Sequence, residues 1–212
     1  HELKTPVTSI KAYTQILHEN LTSKNDLESA GILLKMENQI NRLTNLINDL
    51  LDVTKINEGK LKLKKEELDI NELIKHIADD MQMTTKRHTI NLDLQKVAPI
   101  QADHEKISQV LVNFISNAIK YSPSSNQINI KSLVNANDVT VSVQDFGIGI
   151  SKEIHKNLFK RFFRFKDEST RTFPGLGLGL YISAEIIKRH QGKIWAESAP
   201  NEGASFCFTL PI

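Results

Sequence analysis

The chain has 212 residues, 40% of them hydrophobic, enough to bury one large core or two small ones. Its 27 basic and 25 acidic side chains leave a formal charge of +2, spread along the chain, so there is no basic footprint for nucleic acid. One cysteine, Cys207, excludes an intrachain disulfide framework, and no apolar run approaches the roughly 20 residues that span a bilayer. With no signal-peptide pattern and a histidine as its first residue, the chain is expected to be a cytoplasmic fragment that itself makes no membrane contact.

Turn residues are nearly absent from the first 57 positions. Leu3, Val7, Ile10, Leu17 and Leu21 follow a 3–4 repeat with Thr14 in one slot, and Leu33, Met36, Ile40, Leu43, Ile47 and Leu50 form a second stripe. "TSKND" between them reads as a loop, so residues 1–58 are expected to form a helical hairpin. Ile32, Leu46 and Leu51 widen the second stripe beyond what two helices cover. A four-helix bundle made by a homodimer is the expected solution, with a monomeric hairpin packed on the rest of the chain as the alternative.

Residues 59–65, within "NEGKLKLKK", break the repeat and read as a linker; residues 66–212 are mixed α/β. "LDINELIKHIADDM" predicts a helix with Asp69 as N-cap and Glu72 three residues later. "TINLDL" alternates as a strand does. "DHEKISQVLVNFISNAIKY" predicts an amphipathic helix with Ile107, Val110, Leu111, Phe114 and Ala118 on one face. "QINIKSLV" and "VTVSVQD" predict a hairpin around "NAND". "GLGLYISAEIIKRH" predicts a helix, and "GKIWAES" with "ASFCFTLP" a closing strand pair that buries Cys207. The mixture implies a sheet with helices on one face.

Three stretches of this second region carry chemistry. Asn113, Asn117 and Lys120 stand at i, i+4 and i+7, a polar column beside the apolar stripe. Amide oxygen suits Mg²⁺ and ammonium suits phosphate, although a solvated edge has the same pattern. "DFGIGI" follows a strand, with Asp145 as acceptor and Gly147 and Gly149 allowing close backbone approach, or it is an ordinary strand-ending turn. "GLGLGL" opens a helix and exposes backbone N–H groups to an anion; it matches neither a Walker A nor a Rossmann pattern, and a hinge is the other reading. Between the glycine stretches, Phe159, Phe162, Phe163 and Phe165 alternate with Lys160, Arg161, Arg164 and Lys166. That is a composition for a lid that brings an arginine to phosphate.

The order and spacing of these stretches resemble the two-component sensor histidine kinases over essentially the whole chain. "HELKTP" is similar to their phosphoacceptor box, "NFISNAIKY" to the N box, "DFGIGI" to the first glycine box, "FKRFFRF" to the phenylalanine box and "GLGLGL" to the second glycine box. Leu176 departs from the Thr or Ser frequent at its place. The resemblance implies an α+β architecture: a helical hairpin forming a dimeric four-helix bundle (1–58), then an α/β sandwich ATP-binding domain (66–212) of the gyrase, Hsp90, histidine kinase and MutL type. It implies ATP and Mg²⁺ as cofactors, with Asn117 on the metal, Asn113 and Lys120 near the phosphates and Tyr121 near the nucleotide. It further implies that Asp145 receives the adenine amino group. Gly147 and Gly149 of the first glycine box belong to the nucleotide site, Gly175, Gly177, Leu178 and Gly179 line the phosphates, and Arg164 approaches the terminal one. The implied partners are a second copy of the chain and a response regulator receiver domain, and the implied setting is a protein anchored in the cell membrane.

In the heptad register His1 falls at a water-facing b position, so a core histidine is not expected. One ring nitrogen of a neutral imidazole can attack while Glu2 accepts the proton of the other and fixes the tautomer. Pro6 cannot donate to the carbonyl of Glu2 and crowds it, which is expected to loosen the helix beside the nucleophile. Thr5, in the pattern His-Glu-x-x-Thr, fits a role in orienting water to dephosphorylate the regulator. An ATP-hydrolysing relative is the rival reading. Such relatives carry a glutamate base where this chain has Asn113, and an amide cannot act as a general base. A dimerisation scaffold with a degenerate nucleotide fold is the third reading, opposed by the intact boxes.

Overall fold

The structure, a computed structural model, describes residues 4–164 and 175–212. The chain forms two compact units, His1–Lys60 and Leu61–Ile212.

In the first unit, α1 (Lys4–Ser23) and α2 (Leu27–Asn57) lie side by side. The turn between them closes through Asn25 in the left-handed region (φ 60°) and Asp26, which caps α2 by accepting from the Ser29 N–H at 3.1 Å. Pro6 lies in the first described turn of α1, and its effect on the carbonyl of Glu2 falls outside the described residues. Ala30 and Thr14 are buried, and Thr14 Oγ1 donates to the Ile10 carbonyl at 2.8 Å, which makes a polar residue tolerable in an apolar slot. By contrast Ile10, Leu17, Met36, Leu43 and Leu50 of the two stripes remain between 47% and 51% exposed. The apolar seam of the hairpin is therefore open within one chain.

The second unit is a five-stranded sheet in the order β2-β4-β5-β7-β6: β2 is Thr89–Leu94, β4 Gln127–Val134, β5 Asp138–Asp145, β7 Ala204–Pro211 and β6 Ile194–Ser198. β2 runs parallel to β4, and all other pairs are antiparallel. The expected hairpin is present, with Val134 opposite Val139. Strand alternation sends Ile128, Ile130, Val139, Val141, Val143, Phe206, Phe208 and Leu210 to a buried face, while Thr140, Ser142 and Gln144 face the other way. Cys207 is buried in β7 as expected, and burial, helped by Glu197, pushes its thiol up to about 12, so it stays protonated and unreactive.

Three helices pack on the buried face: α3 (Ile70–Thr84), α4 (His104–Tyr121) and α6 (Gly179–Arg189), with α4 between the other two. Asp69 caps α3 by accepting from Asn71 N–H at 2.9 Å and Glu72 N–H at 3.1 Å. The Glu72 carboxylate pairs with Lys75 at 3.0 Å. Asp103 caps α4 through Lys106 N–H at 3.0 Å, and its second oxygen accepts from Lys64 N–H at 2.7 Å. Residues 61–65 are thus held on this unit. Leu61 is buried and its carbonyl accepts from Arg189 at 2.8 Å. Three short elements had no sequence signal: β1 (Glu66–Leu68) and β3 (Ile100–Ala102), which pair as a small sheet, and α5 (Lys152–His155). All three are too short to show a period.

Phe114 anchors α4. It has no exposed surface and its ring lies 5.4 Å from Phe206 and 6.0 Å from Phe208, tilted against both. Phe114→Ala is expected to destabilise this unit by about 3–5 kcal/mol, the usual cost of emptying a buried aromatic site. Urea unfolding followed by the fluorescence of Trp195 measures this, and a loss under about 1 kcal/mol would contradict the central place given to Phe114.

Candidate functional site

Burying Phe114 and Ile115 fixes the phase of α4, and that phase places Asn113, Asn117 and Lys120 along one half-buried edge. The amides form a chain. Asn117 Nδ2 donates to Asn113 Oδ1 at 3.4 Å, and Asn113 Nδ2 donates to Ser183 Oγ on α6 at 3.0 Å. The Lys120 ammonium sits 4.6 Å from the centre of the Tyr121 ring. Gly179, the first residue of α6, meets the Asn113 amide so closely that a Cβ there would strike Asn113 Oδ1 and lie 3.0 Å from Cγ. The N box and the second glycine box are therefore one surface. Leu178 offers no side-chain cap, so the first N–H groups of α6 remain available to an anion. Leu178 itself is 1% exposed.

The first glycine box reaches the same helix from the sheet. Asp145 ends β5 at 3% exposure, and its Oδ1 accepts from Gly147 N–H at 2.9 Å. Burial pushes the carboxyl up to about 6, against the opposing pull of the Gly147 and Ala204 N–H groups and the nearby His88 imidazole. A Cβ on Gly147 would collide with the Tyr121 carbonyl, which also accepts from Ile148 N–H at 3.2 Å. The turn is thus laced to the end of α4, Asp145 comes next to the Lys120–Tyr121 end of the polar column, and Gly149 follows with φ 67°. Behind it His88, 4% exposed, has Nδ1 3.0 Å from Thr85 Oγ1 and Nε2 3.0 Å from the Ser122 carbonyl.

The aromatic–basic stretch joins the site at its start. A Cβ on Gly177 would lie 2.5 Å from the Phe163 carbonyl and 3.0 Å from Arg164 Cγ. Arg161 stacks 4.9 Å from the Tyr181 ring on α6. Arg164, Gly175 and Leu176 are exposed. Residues 165–174, with Phe165 and Lys166, lie outside the described residues, as do His1 and Glu2; Thr5 is described and exposed on α1. Sequence reasoning missed Ser183, His88 and the Arg161–Tyr181 pair. Ser183 had a readable signal: a polar residue four positions after Gly179, within the apolar stripe of Ile182, Ile186 and Ile187.

Residues 102–212 match the family described as histidine kinase-, DNA gyrase B-, and HSP90-like ATPase, and residues 1–59 match the His Kinase A (phospho-acceptor) domain. The chain is 35% identical over 215 residues to the sensor histidine kinase WalK of Bacillus subtilis, covering all of this chain and 35% of that protein. It spans about a third to a half of the length of the curated relatives it matches. Among solved structures it resembles full-length ShkA in complex with AMPPNP (TM-score 0.79, 22% identity, all of this chain and 44% of that one), a likeness of fold. It also resembles the histidine kinase AdeS of Acinetobacter baumannii (TM-score 0.69, 25% identity, all of this chain and 97% of that one). The chain belongs to the histidine kinase-, DNA gyrase B- and HSP90-like ATPase family and, with its phospho-acceptor hairpin, is the catalytic core of a two-component sensor histidine kinase.

Proposed function

We propose that the chain phosphorylates its own His1 from ATP, passes the phosphoryl group to an aspartate of a separate response regulator, and promotes the dephosphorylation of that regulator. The observation that carries the nucleotide half is the convergence of the Asn113–Asn117 column on the uncapped start of α6, next to the buried Asp145. Asp145 accepts the adenine amino group, and Tyr121 borders the nucleotide. Gly147 and Gly149 let the first turn approach it. The backbone of Gly175, Gly177, Leu178 and Gly179 lines the phosphates, with Lys120 and Arg164 as cations for their oxygens.

Among the described residues no group of three or more His, Cys, Asp or Glu could cage a metal. A single neutral oxygen from Asn117 suits Mg²⁺, which keeps waters and phosphate oxygens in its shell. Bound there, the ion would neutralise charge on the phosphates.

In the first step a ring nitrogen of His1 attacks the γ-phosphorus in line. A P–N bond forms, the bond to the β-phosphate oxygen breaks, ADP leaves, and Glu2 takes the proton of the other ring nitrogen. In the second step the regulator's aspartate displaces His1 from the phosphorus. Asn113 supplies no general base, so water is a poor competitor for His1. Thr5, four residues after His1 in the sequence, orients water toward the acyl phosphate of the regulator. The open seam of Ile10, Leu17, Met36, Leu43 and Leu50 supports a homodimer through the hairpin. The longer relatives support a membrane-anchored whole protein, although no helix among the described residues is long and apolar enough to cross a membrane.

His1→Ala should remove all label transferred from γ-labelled ATP while changing nucleotide affinity by less than about twofold, because acceptor and nucleotide boxes lie in separate units. Label persisting on the variant would identify another acceptor. Thr5→Ala should retain autophosphorylation and slow decay of the phosphorylated regulator by about tenfold or more, read on the purified regulator with and without ADP. Equal decay with both proteins would remove the role given to Thr5.

A pH titration tests Asp145. The ionised carboxylate is the acceptor and its pKa is raised to about 6 in the free protein. Below that pH, binding must first expel a proton. Affinity for ADP should therefore be flat above about pH 7 and fall about tenfold per unit below 6. Asp145→Asn should bind more weakly and lose that slope, and a slope retained in the variant would assign it elsewhere.

A further inference from the structure

We propose that His88 is a positioning residue for adenine recognition: its Nε2–H holds the end of α4 by the Ser122 carbonyl, and through that end holds Asp145 where it meets the adenine amino group. The inference rests on the acceptor role proposed for Asp145.

His88 lies in the turn between α3 and β2 and is 4% exposed. Three successive residues fasten that turn to the end of α4 and the loop after it. Arg87 Nη1 donates to the Pro123 carbonyl, His88 Nε2 lies 3.0 Å from the Ser122 carbonyl, and Thr89 N–H donates to the Asn126 carbonyl at 2.8 Å. Gln82 stiffens the turn from within. Its Nε2 donates to the carbonyls of Thr85 and His88 at 3.2 and 2.8 Å, and its Oε1 accepts from Ile90 N–H at 3.0 Å. The imidazole is therefore a built fixture and not a loose side chain filling space.

The neighbours of the ring decide which nitrogen carries the proton. A carbonyl oxygen only accepts, so Nε2 must donate to Ser122. The Ser122 hydroxyl, 3.2 Å from Nε2, gives its own proton to the Ala118 carbonyl at 2.6 Å, so it too can only accept from the ring. On the other side the Thr85 hydroxyl, 3.0 Å from Nδ1, can donate or accept, and it fits a bare or a protonated Nδ1 equally. The donor at Nε2 is thus the same whether the ring is neutral or charged. Ser122 has no exposed surface, and its carbonyl takes a second bond from Ser125 N–H at 3.1 Å, so both of its lone pairs are used.

The first glycine box rests on the peptide that His88 holds. A Cβ on Gly147 would collide with the Tyr121 carbonyl and lie 2.8 Å from Ser122 Cα, and Ile148 N–H donates to that same Tyr121 carbonyl at 3.2 Å. Gly147 N–H in turn donates to Asp145 Oδ1 at 2.9 Å. Three contacts in series run from His88 to the carboxylate: imidazole to Ser122, Tyr121–Ser122 to Gly147, Gly147 to Asp145. Releasing the first loosens the surface against which the second sits, and the direction of the carboxylate with it.

The test is displacement calorimetry on the 212-residue chain with ADP and with inosine diphosphate, which has an oxygen in place of the adenine amino group. The ratio of the two affinities reads the contact with that group, because ribose and phosphates are shared. His88→Asn, whose shorter amide falls short of Ser122, should lose about fivefold of the ratio, with the loss on the ADP side. His88→Gln, whose amide nitrogen reaches the place of Nε2, should keep the ratio within about twofold. Asp145→Ala should abolish the preference for ADP, and adding His88→Asn to it should cost nothing more. In the unaltered protein, long-range proton–nitrogen NMR should show His88 protonated at Nε2, a check that holds even if His88→Asn folds poorly.

An unchanged ratio in His88→Asn beside a lost preference in Asp145→Ala overturns the link and leaves the Asp145 reading standing. An equal loss for ADP and inosine diphosphate also overturns it, reducing His88 to packing. If His88→Gln and His88→Asn lose the same share of the ratio, the effect belongs to the charge of the imidazole near Asp145, and the Ser122 link falls. An unprotonated Nε2 has the same consequence. A preference for ADP kept in Asp145→Ala overturns the Asp145 reading and this inference with it.

Discussion

The insertion of α4 between α3 and α6, with Phe114 against Phe206 and Phe208, is the constraint on which the site depends. One helix serves two purposes through its phase. The rotation that buries Ile107, Leu111, Phe114, Ile115 and Ala118 is the rotation that lays Asn113, Asn117 and Lys120 along the edge. Turning the helix by one residue, about 100°, would bury amides without partners and expose the aromatic ring. The glycines then finish what the packing begins. Gly179 and Gly147 are the points where α6 and the turn after β5 come against α4, and at both a methyl group would collide with an atom that belongs to the site or to its support.

The chemistry follows from what α4 does not carry. With an amide at Asn113 rather than a carboxylate, the site can bind and orient phosphates but has no group there to activate water. A nucleotide held without a base favours transfer to another nucleophile, the role proposed for His1 in the region that matches the phospho-acceptor domain. Asp145 is the counterpart at the other end of the site. Burial raises its proton affinity, so a ligand that donates a hydrogen bond there is favoured over bulk water as its partner.

Much of this was legible in the sequence because the elements are long or carry strong punctuation. The stripe of α4, the hairpin of β4 and β5, the cap at Asp69 and the three alternating glycines before α6 each have a local physical cause, and each appears where expected. The small sheet of β1 and β3 did not, because three residues show no period and their pairing is decided by distant partners. The docking of residues 61–65 was hidden for the same reason: its hydrogen bonds reach Asp103 and Arg189, far along the chain. Candidate site residues were found by type and spacing. His88 was not, since its contact with the Ser122 carbonyl joins elements that no single stretch of sequence displays, and Ser183 showed only as a polar residue in an apolar stripe, its partner Asn113 lying far along the chain.

The central claim is that phosphate moves from ATP to a ring nitrogen of His1. Its most direct measurement is the chemistry of the bond formed after incubation with γ-labelled ATP and Mg²⁺, with the labelled peptide identified by mass spectrometry. A phosphoramidate on His1 should survive alkali and be lost in acid. Label that resists acid, or that maps to a serine, threonine or tyrosine, would contradict the account.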